Sequence, residues 1–223
     1  MNRYDFHTHS IFSDGALLPA ALIREAEVRG HAALAITDHV DASNIEDVIR
    51  SLVRFEKKMK GKLPIMFFPG VEISYIKPEY IAEYCKKARK LGAKVIVVHG
   101  ESPIESVYPG TDSVAVGQKG LVDILAHPGN TLTEKDATLA ARNGIFLEIS
   151  ARKGHREGNL HVLELARRTG AKLLVNTDSH SEADLLTYDQ ALSMVKELGM
   201  TDVEAEAALT DNPQELIRRI GSR

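Results

Sequence analysis

Leu91-Gly92-Ala93-Lys94-Val95-Ile96-Val97-Val98-His99 is the stretch from which the architecture is read. The segment before it, Pro78 to Leu91, has helical composition, opening on Pro and stopping before Gly92. A helix tolerates Pro in its first turn, where an N–H has no partner anyway, and commonly closes on a glycine. Lys94 to Val98 is then a short, continuous apolar run, which suits a strand covered on both faces. His99 stands where that strand ends. The same punctuation of helix end, glycine and strand returns at Arg29-Gly30-His31-Ala32, at Thr169-Gly170-Ala171 and, as a variant, at Asn143-Gly144.

Comparable runs occur at Tyr4 to Phe6, Ala33 to Ile36, Ile65 to Phe68, Val122 to Ala126, Ile145 to Ile149 and Lys172 to Val175, which with the first makes seven strands. Helical segments lie between them at Pro19 to Arg29, Asn44 to Lys60, Thr133 to Arg142 and Glu157 to Thr169, and another follows at Tyr188 to Leu198. Alternation of this kind means α/β with a parallel sheet. The first turn, HTHSIFSDG, has no Gly-x-Gly-x-x-Gly pattern, so a (β/α)7 TIM-like barrel is expected over an open doubly wound sheet. One domain over residues 1–223 is expected, with helices from about 188, including Asp202 to Leu209 and Pro213 to Ile220, packed on the barrel.

Composition narrows the function. The 223 residues carry 28 basic and 31 acidic side chains, a net charge of -3, and neither sign forms a block. That argues against long nucleic acid as a partner. A single cysteine, Cys85, cannot pair within the chain and, at helical spacing with Ile81, Tyr84 and Ala88, reads as core. With no apolar leader in MNRYDFHTHS, a cytoplasmic location is expected. The longest apolar runs, Val95 to Val98 and Leu121 to Ala126, fall far short of the roughly 20 residues of a membrane span.

Titratable residues follow every strand in turn: His7 and His9, Asp38 and His39, Glu72, His99, His127, Glu148, then Asp178 and His180. In a barrel the strand C-termini converge on one mouth, so residues spread over the chain would meet there. His7 and His9, like Asp178 and His180, are two apart, and the strand period of two turns both members of a pair the same way. Imidazole and carboxylate without thiolate suit Zn, Mn or Fe, and the number of donors exceeds what one ion needs, so two or three divalent ions are expected. Asp14, in Ser13-Asp14-Gly15, joins them because the glycine permits a tight turn back over the site. One such residue alone is more often a capping or satisfied core group; at all seven strand ends together, that explanation fails.

The motifs Asp5-Phe6-His7-Thr8-His9-Ser10 with Ser13-Asp14-Gly15, Thr37-Asp38-His39, Pro69-Gly70-Val71-Glu72, His99-Gly100, Ala126-His127-Pro128 and Thr177-Asp178-Ser179-His180 resemble the PHP (polymerase and histidinol phosphatase) family. The resemblance implies a distorted seven-stranded barrel with a trinuclear centre used in phosphoester hydrolysis. It implies one ion on His7, His9, Glu72 and Asp178, a second on Glu72, His99 and His127 with Glu72 bridging, and a third on Asp14, His39 and His180. Some members of the family have His where this chain has Asp14. A metal-bound hydroxide held by Glu72, His99 and His127 would attack phosphorus, with His180 a candidate proton donor. Asp38 and Glu148 are expected to support ligand imidazoles.

The cationic loop after the sixth strand adds Arg152, Lys153, His155 and Arg156 as candidates for binding a substrate phosphate. The leading expectation is a phosphatase acting on a small phosphomonoester. Histidinol phosphate is one substrate of the family, but the brevity of this chain and its loops leaves the substrate unassigned. The alternatives are a nucleotide or short-oligonucleotide phosphoesterase or exonuclease, an amidohydrolase-like C–N hydrolase, and a metal-free scaffold subunit like that of ribonuclease P. His31, before a strand, and His161, within a helix, are expected to be structural or surface residues.

Overall fold

A computed structural model describes residues 1–102 and 104–222. Among these, the strands are β1 (Arg3–Asp5), β2 (His31–Ile36), β3 (His39–Val40), β4 (Met66–Ile73), β5 (Val95–His99), β6 (Ile124–Ala126), β7 (Phe146–Ser150) and β8 (Leu173–Asn176). All pair in parallel, in the order β1-β2-β4-β5-β6-β7-β8. The two residues of β3 continue the line of β2 past a break at Thr37 and Asp38, since Ile36↔Pro69 and His39↔Glu72 keep one register against β4. The seven strands expected from the sequence are therefore present, bent into a nearly closed TIM-like barrel.

The helices are α1 (Pro19–Val28), α2 (Ile45–Met59), α3 (Ile81–Leu91), α4 (Thr111–Val116), α5 (Glu134–Asn143), α6 (Asn159–Thr169), α7 (Tyr188–Glu197), α8 (Asp202–Glu206) and α9 (Asn212–Gly221). Gly92 ends α3 in the left-handed conformation at φ 105°, its N–H bonded back into the last turn, as the punctuation predicts. Two differences stand out. The expected helix from Asp202 to Leu209 is one turn of α followed by a π segment, Ala207–Asp211, that runs into α9. The six-residue α4 has no counterpart in the pattern, being too short to display a period.

Alternation along the strands divides the apolar residues into two layers. Ala33, Ala35, Phe68, Val95, Val97, Ile124, Ala126, Phe146 and Leu174 point into the barrel with Tyr4 and Phe6. Their neighbours Leu34, Ile36, Phe67, Ile96, Val98, Leu125, Leu147 and Val175 pack outward under the helices. Leu216 and Ile220 of α9 belong to the inner layer, so the C-terminal helix stops the end of the barrel that carries the strand N-termini.

The β1/β8 seam closes through side chains rather than a full ladder. Asp5 accepts from the Thr177 hydroxyl at 2.7 Å and its N–H at 3.2 Å, and the Phe6 N–H donates to Asn176 Oδ1 at 3.0 Å. Beyond them His9 N–H reaches Ser179 O at 2.8 Å. No helix among the described residues is long and apolar enough to cross a membrane.

Candidate metal centre

The inward rows lead to the mouth. Phe68, Gly70 and Glu72 share one parity on β4, Val95, Val97 and His99 on β5, and Phe146 and Glu148 on β7, so small or apolar floor residues are followed by a titratable group one step higher. His127 and Asp178 lie just past β6 and β8 in left-handed backbone, at φ 25° and 51°. Such conformations are unfavourable for residues other than glycine and cluster at functional sites. Both side chains turn into the same basin, His127 Nε2 lying 3.7 Å from Glu72 Oε1 and 3.9 Å from Asp178 Oδ2.

The loop after β1 supplies His7, His9 and Asp14. Gly15 folds so tightly over this loop that a Cβ there would sit 2.3 Å from the His9 carbonyl oxygen, which explains the glycine. Asp38 holds the same turn: it accepts from Ser10 N–H at 2.7 Å, Ser10 Oγ at 2.8 Å and Ser13 Oγ at 2.8 Å. The expectation that Asp38 orients an imidazole is thereby corrected; its oxygens are occupied by the turn that carries Asp14. Glu148 does contact an imidazole, 2.8 Å from His7 Nδ1, and is itself fixed by Asn176 Nδ2 at 2.9 Å. With Nδ1 engaged, His7 presents Nε2 to the centre.

Among the described residues, four groups hold donor atoms within 4.8 Å of one another: His9, Asp14, His39 and His180; His7, His127 and Asp178; His7, His9 and Glu72; and Glu72, His99 and His127. Their electrostatics are those of a basin assembled around charge. Burial opposes protonation of His7, yet Glu148, Glu72 and Asp178 outweigh it and hold its pKa well above the ordinary value. Burial and the adjacent imidazoles, chiefly His39 and His99, push His9 and His127 well below theirs. Burial would raise Glu72, but His7, His39 and His99 keep it well below the usual carboxylate range, while burial lifts Asp178 to about 7.

Polar atoms in this basin crowd one another. His7 Nε2 and His9 Nε2 are buried, as are both oxygens of Glu72, and what they face is each other's kind: His7 Nε2 lies 3.2 Å and His39 Nδ1 2.8 Å from Glu72 Oε2, and His9 Nε2 lies 3.1 Å from Asp178 Oδ1. Imidazoles and carboxylates packed this closely out of water need a compensating charge among them. Nitrogen and oxygen donors converging from strand ends fit divalent cations.

Residues 5–143 match the family model for the PHP domain. This chain belongs to the PHP domain family. An uncharacterized protein of Methanocaldococcus jannaschii is 42% identical to it over 219 residues, covering 98% of this chain and 100% of that protein. A protein of Thermoanaerobacter sp. (strain X514) named a probable phosphatase is 27% identical over 217 residues, covering 89% of this chain and 87% of the relative. Ribonuclease P protein component 3 of Methanosarcina mazei is also 27% identical, over 233 residues, covering 97% of this chain and 89% of the relative. Identity alone therefore does not rank a phosphatase above a ribonuclease P subunit for this PHP chain; the side chains in the mouth must.

Of the four cationic candidates in this PHP chain, two face the centre. Arg152 Nη1 donates to the Asp178 carbonyl at 3.1 Å, with Nε 3.6 Å from Asp178 Oδ2. His155 is buried and stacks on His127, ring centres 3.9 Å apart. Lys153 and Arg156 are exposed, and Arg156 turns back to the Ala151 carbonyl, so the expectation that they bind phosphate is not supported by their placement. Buried Cys85, its thiol pushed up to about 12, and His31, 2.9 Å from Ala26 O, lie apart from the mouth, as expected. His161 likewise bonds a backbone carbonyl, that of Leu132.

Three residues at the mouth escape the reading of the sequence. Ser74 Oγ is 2.7 Å from His39 Nδ1 and shares the parity of Glu72, so strand alternation could have found it. Tyr75, in left-handed backbone at φ 56°, places its ring 5.5 Å from that of His99. Glu105 contacts His99 Nε2 from an aperiodic loop that gives no signal.

Proposed function

We propose that this chain is a metal-dependent phosphoesterase hydrolysing a small phosphomonoester, with two or three divalent ions in the barrel mouth. The observation that carries the reading is the set of buried imidazole and carboxylate atoms that converge on Glu72. His7, His9, Glu72 and Asp178, whose imidazole and carboxylate atoms lie 3.1–3.6 Å apart, would hold one ion, Glu72, His99 and His127 a second, and Asp14, His39 and His180 a third. Bound divalent ions supply Lewis acidity, acidifying water and neutralising charge on phosphoryl oxygens.

The protein side of the reaction is positioning. Arg152 sits beside Asp178 and His180 at the rim, half-exposed and able to meet a phosphoryl oxygen with a forked donor. His180 Nε2, 3.1 Å from Asp14 Oδ2, is partly open to solvent and is the candidate to pass a proton to a leaving oxygen. A cavity of about 120 Å³ lined by His39, Ser43, Ser74 and Tyr75 opens next to the centre and supports a compact leaving group. Metal-capable donors at the strand ends support an enzyme over a metal-free scaffold subunit.

The test is phosphate release from a panel of phosphomonoesters, nucleoside bisphosphates and short oligonucleotides, with metal content measured on the same sample. Activity is expected to require Mn or Zn and to vanish on chelation. Glu72→Gln is expected to keep the fold and lose at least 100-fold in kcat/KM, roughly the loss of a key electrostatic group. Full activity in that variant would sink the assignment. Bound metal without phosphoester cleavage would favour C–N hydrolysis instead.

A further inference from the structure

Between β5 and α4, the described residues 100–102 and 104–110 are clasped where the segment meets α4. Glu101 Oε1 accepts from the N–H of Gly110 at 2.8 Å and of Asp112 at 3.2 Å, and Asp112 Oδ1 accepts from Glu101 N–H at 2.8 Å. The clasp anchors the loop at the rim, where Ile104 lies against Gly154 of the facing loop and Ser102 Oγ is 3.3 Å from His155 Nδ1. Glu105 is carried inward on this loop.

Its carboxylate ends against His99 Nε2. His99 Nδ1 is 3.0 Å from the Gly100 carbonyl, an acceptor only, so Nδ1 carries a proton and Nε2 is the nitrogen that faces Glu105. Glu105 Oε2 is buried, and the group it meets there is His99 Nε2. A carboxylate against an imidazole nitrogen is held by a positive charge between them, which is a proton when no metal is bound and a metal cation when one is. The loop therefore brings an additional hard oxygen donor to the nitrogen through which His99 would bind metal.

We infer that Glu105 is a further ligand to the ion held by Glu72, His99 and His127. The inference rests on the metal centre proposed above and adds to it a ligand from outside the strand ends. Glu105 stands outside the donor groups that already lie within 4.8 Å of one another, so engagement requires the loop to draw in toward Glu72 and His127 when the ion arrives. Two consequences follow. The site becomes richer in oxygen, which favours Mn or Fe relative to Zn. The loop also becomes more ordered when metal binds.

The experiment is titration of metal-free wild type, Glu105→Gln and Glu105→Asp with Mn(II) and with Zn(II) in competition with a chelator, read together with backbone hydrogen exchange. Glu105→Gln is expected to weaken Mn(II) binding roughly 10- to 100-fold, the range seen when groups around a metal are removed. Zn(II) is expected to change less, and Glu105→Asp to recover part of the Mn(II) loss. Mn(II) should slow exchange across residues 104–110 in wild type but not in Glu105→Gln. Unchanged or tighter Mn(II) binding in Glu105→Gln overturns the inference, as does equal protection of the loop in both proteins. If wild type itself binds neither ion, the metal centre fails rather than the role of Glu105 within it.

Discussion

His31 and His7 are buried imidazoles whose protonation runs in opposite directions because their neighbours differ. Three carboxylates surround His7, whereas burial, with the Arg3 guanidinium adding to it, pushes His31 down to about 3. An unfolded imidazole binds its proton near pH 6.5, so between pH 6.5 and 3 the unfolded chain holds the extra proton. The folded state has its full stability above pH 6.5 and loses up to about 1.4 kcal/mol per pH unit as the pH falls through that window. His31→Asn, which keeps a donor for the Ala26 carbonyl, is expected to flatten this loss. Urea unfolding at pH 7, 5.5 and 4 should show the gap between variant and wild type moving steadily in favour of the variant. Parallel curves would show that His31 is not the proton-linked group. From sequence, His31 was separable from the others by its place before a strand; the direction of its shift was not, because Arg3 comes beside it only through the β1/β2 pairing.

At the scale of elements, the centre depends on how closely neighbouring strand ends approach. Gly100 N–H bonds to the Ala126 carbonyl at 3.1 Å, and a Cβ at Gly100 would fall 2.2 Å from that oxygen and 3.0 Å from Pro128 Cα. Backbone on the far side cannot yield as a side-chain tip would. Gly100→Ala is expected to force the ends of β5 and β6 apart, cost about 1–3 kcal/mol in stability, the range for overpacking, and weaken metal binding by separating His99 from His127. Thermal unfolding and metal titration of one sample check both; wild-type values for the two would refute the close approach. The strands themselves were legible because their β-rich runs lie between glycine-ended helices. The loop bearing Glu105 was not, since GESPIESVYPG has neither strand nor helix period and its contact with His99 depends on a clasp formed with α4.

For the whole molecule, the barrel has one weak seam and one plug. β1 and β8 meet through Asp5, Asn176 and Thr177, and Arg3 Nη1 donates across the seam to the Val175 carbonyl at 2.9 Å. At the end of the barrel away from the mouth, Leu216 is fully buried in the inner layer. Leu216→Ala is expected to cost about 2–5 kcal/mol, the range for buried Leu to Ala, while leaving metal affinity unchanged, because plug and mouth lie at opposite ends. A loss of metal affinity together with stability would show that the floor of the barrel transmits strain to the site. Truncation before α9 should expose that floor and be more damaging than the single substitution.

Residue order alone was enough to determine the α/β alternation, the glycine punctuation and the set of strand-end His, Asp and Glu, because each is a local or periodic property of the chain. The same holds for the grouping of most donors, since a barrel brings every strand C-terminus to one mouth whatever the loops do. Tertiary packing decided the rest: that Asp38 serves a turn, that Lys153 is exposed and Arg156 turns back to a carbonyl while Arg152 and His155 face in, and that Glu105 reaches His99. Those outcomes depend on loop paths and on left-handed turns at His127 and Asp178. Their energies come from contacts between segments far apart in the chain, and such contacts leave no period in it.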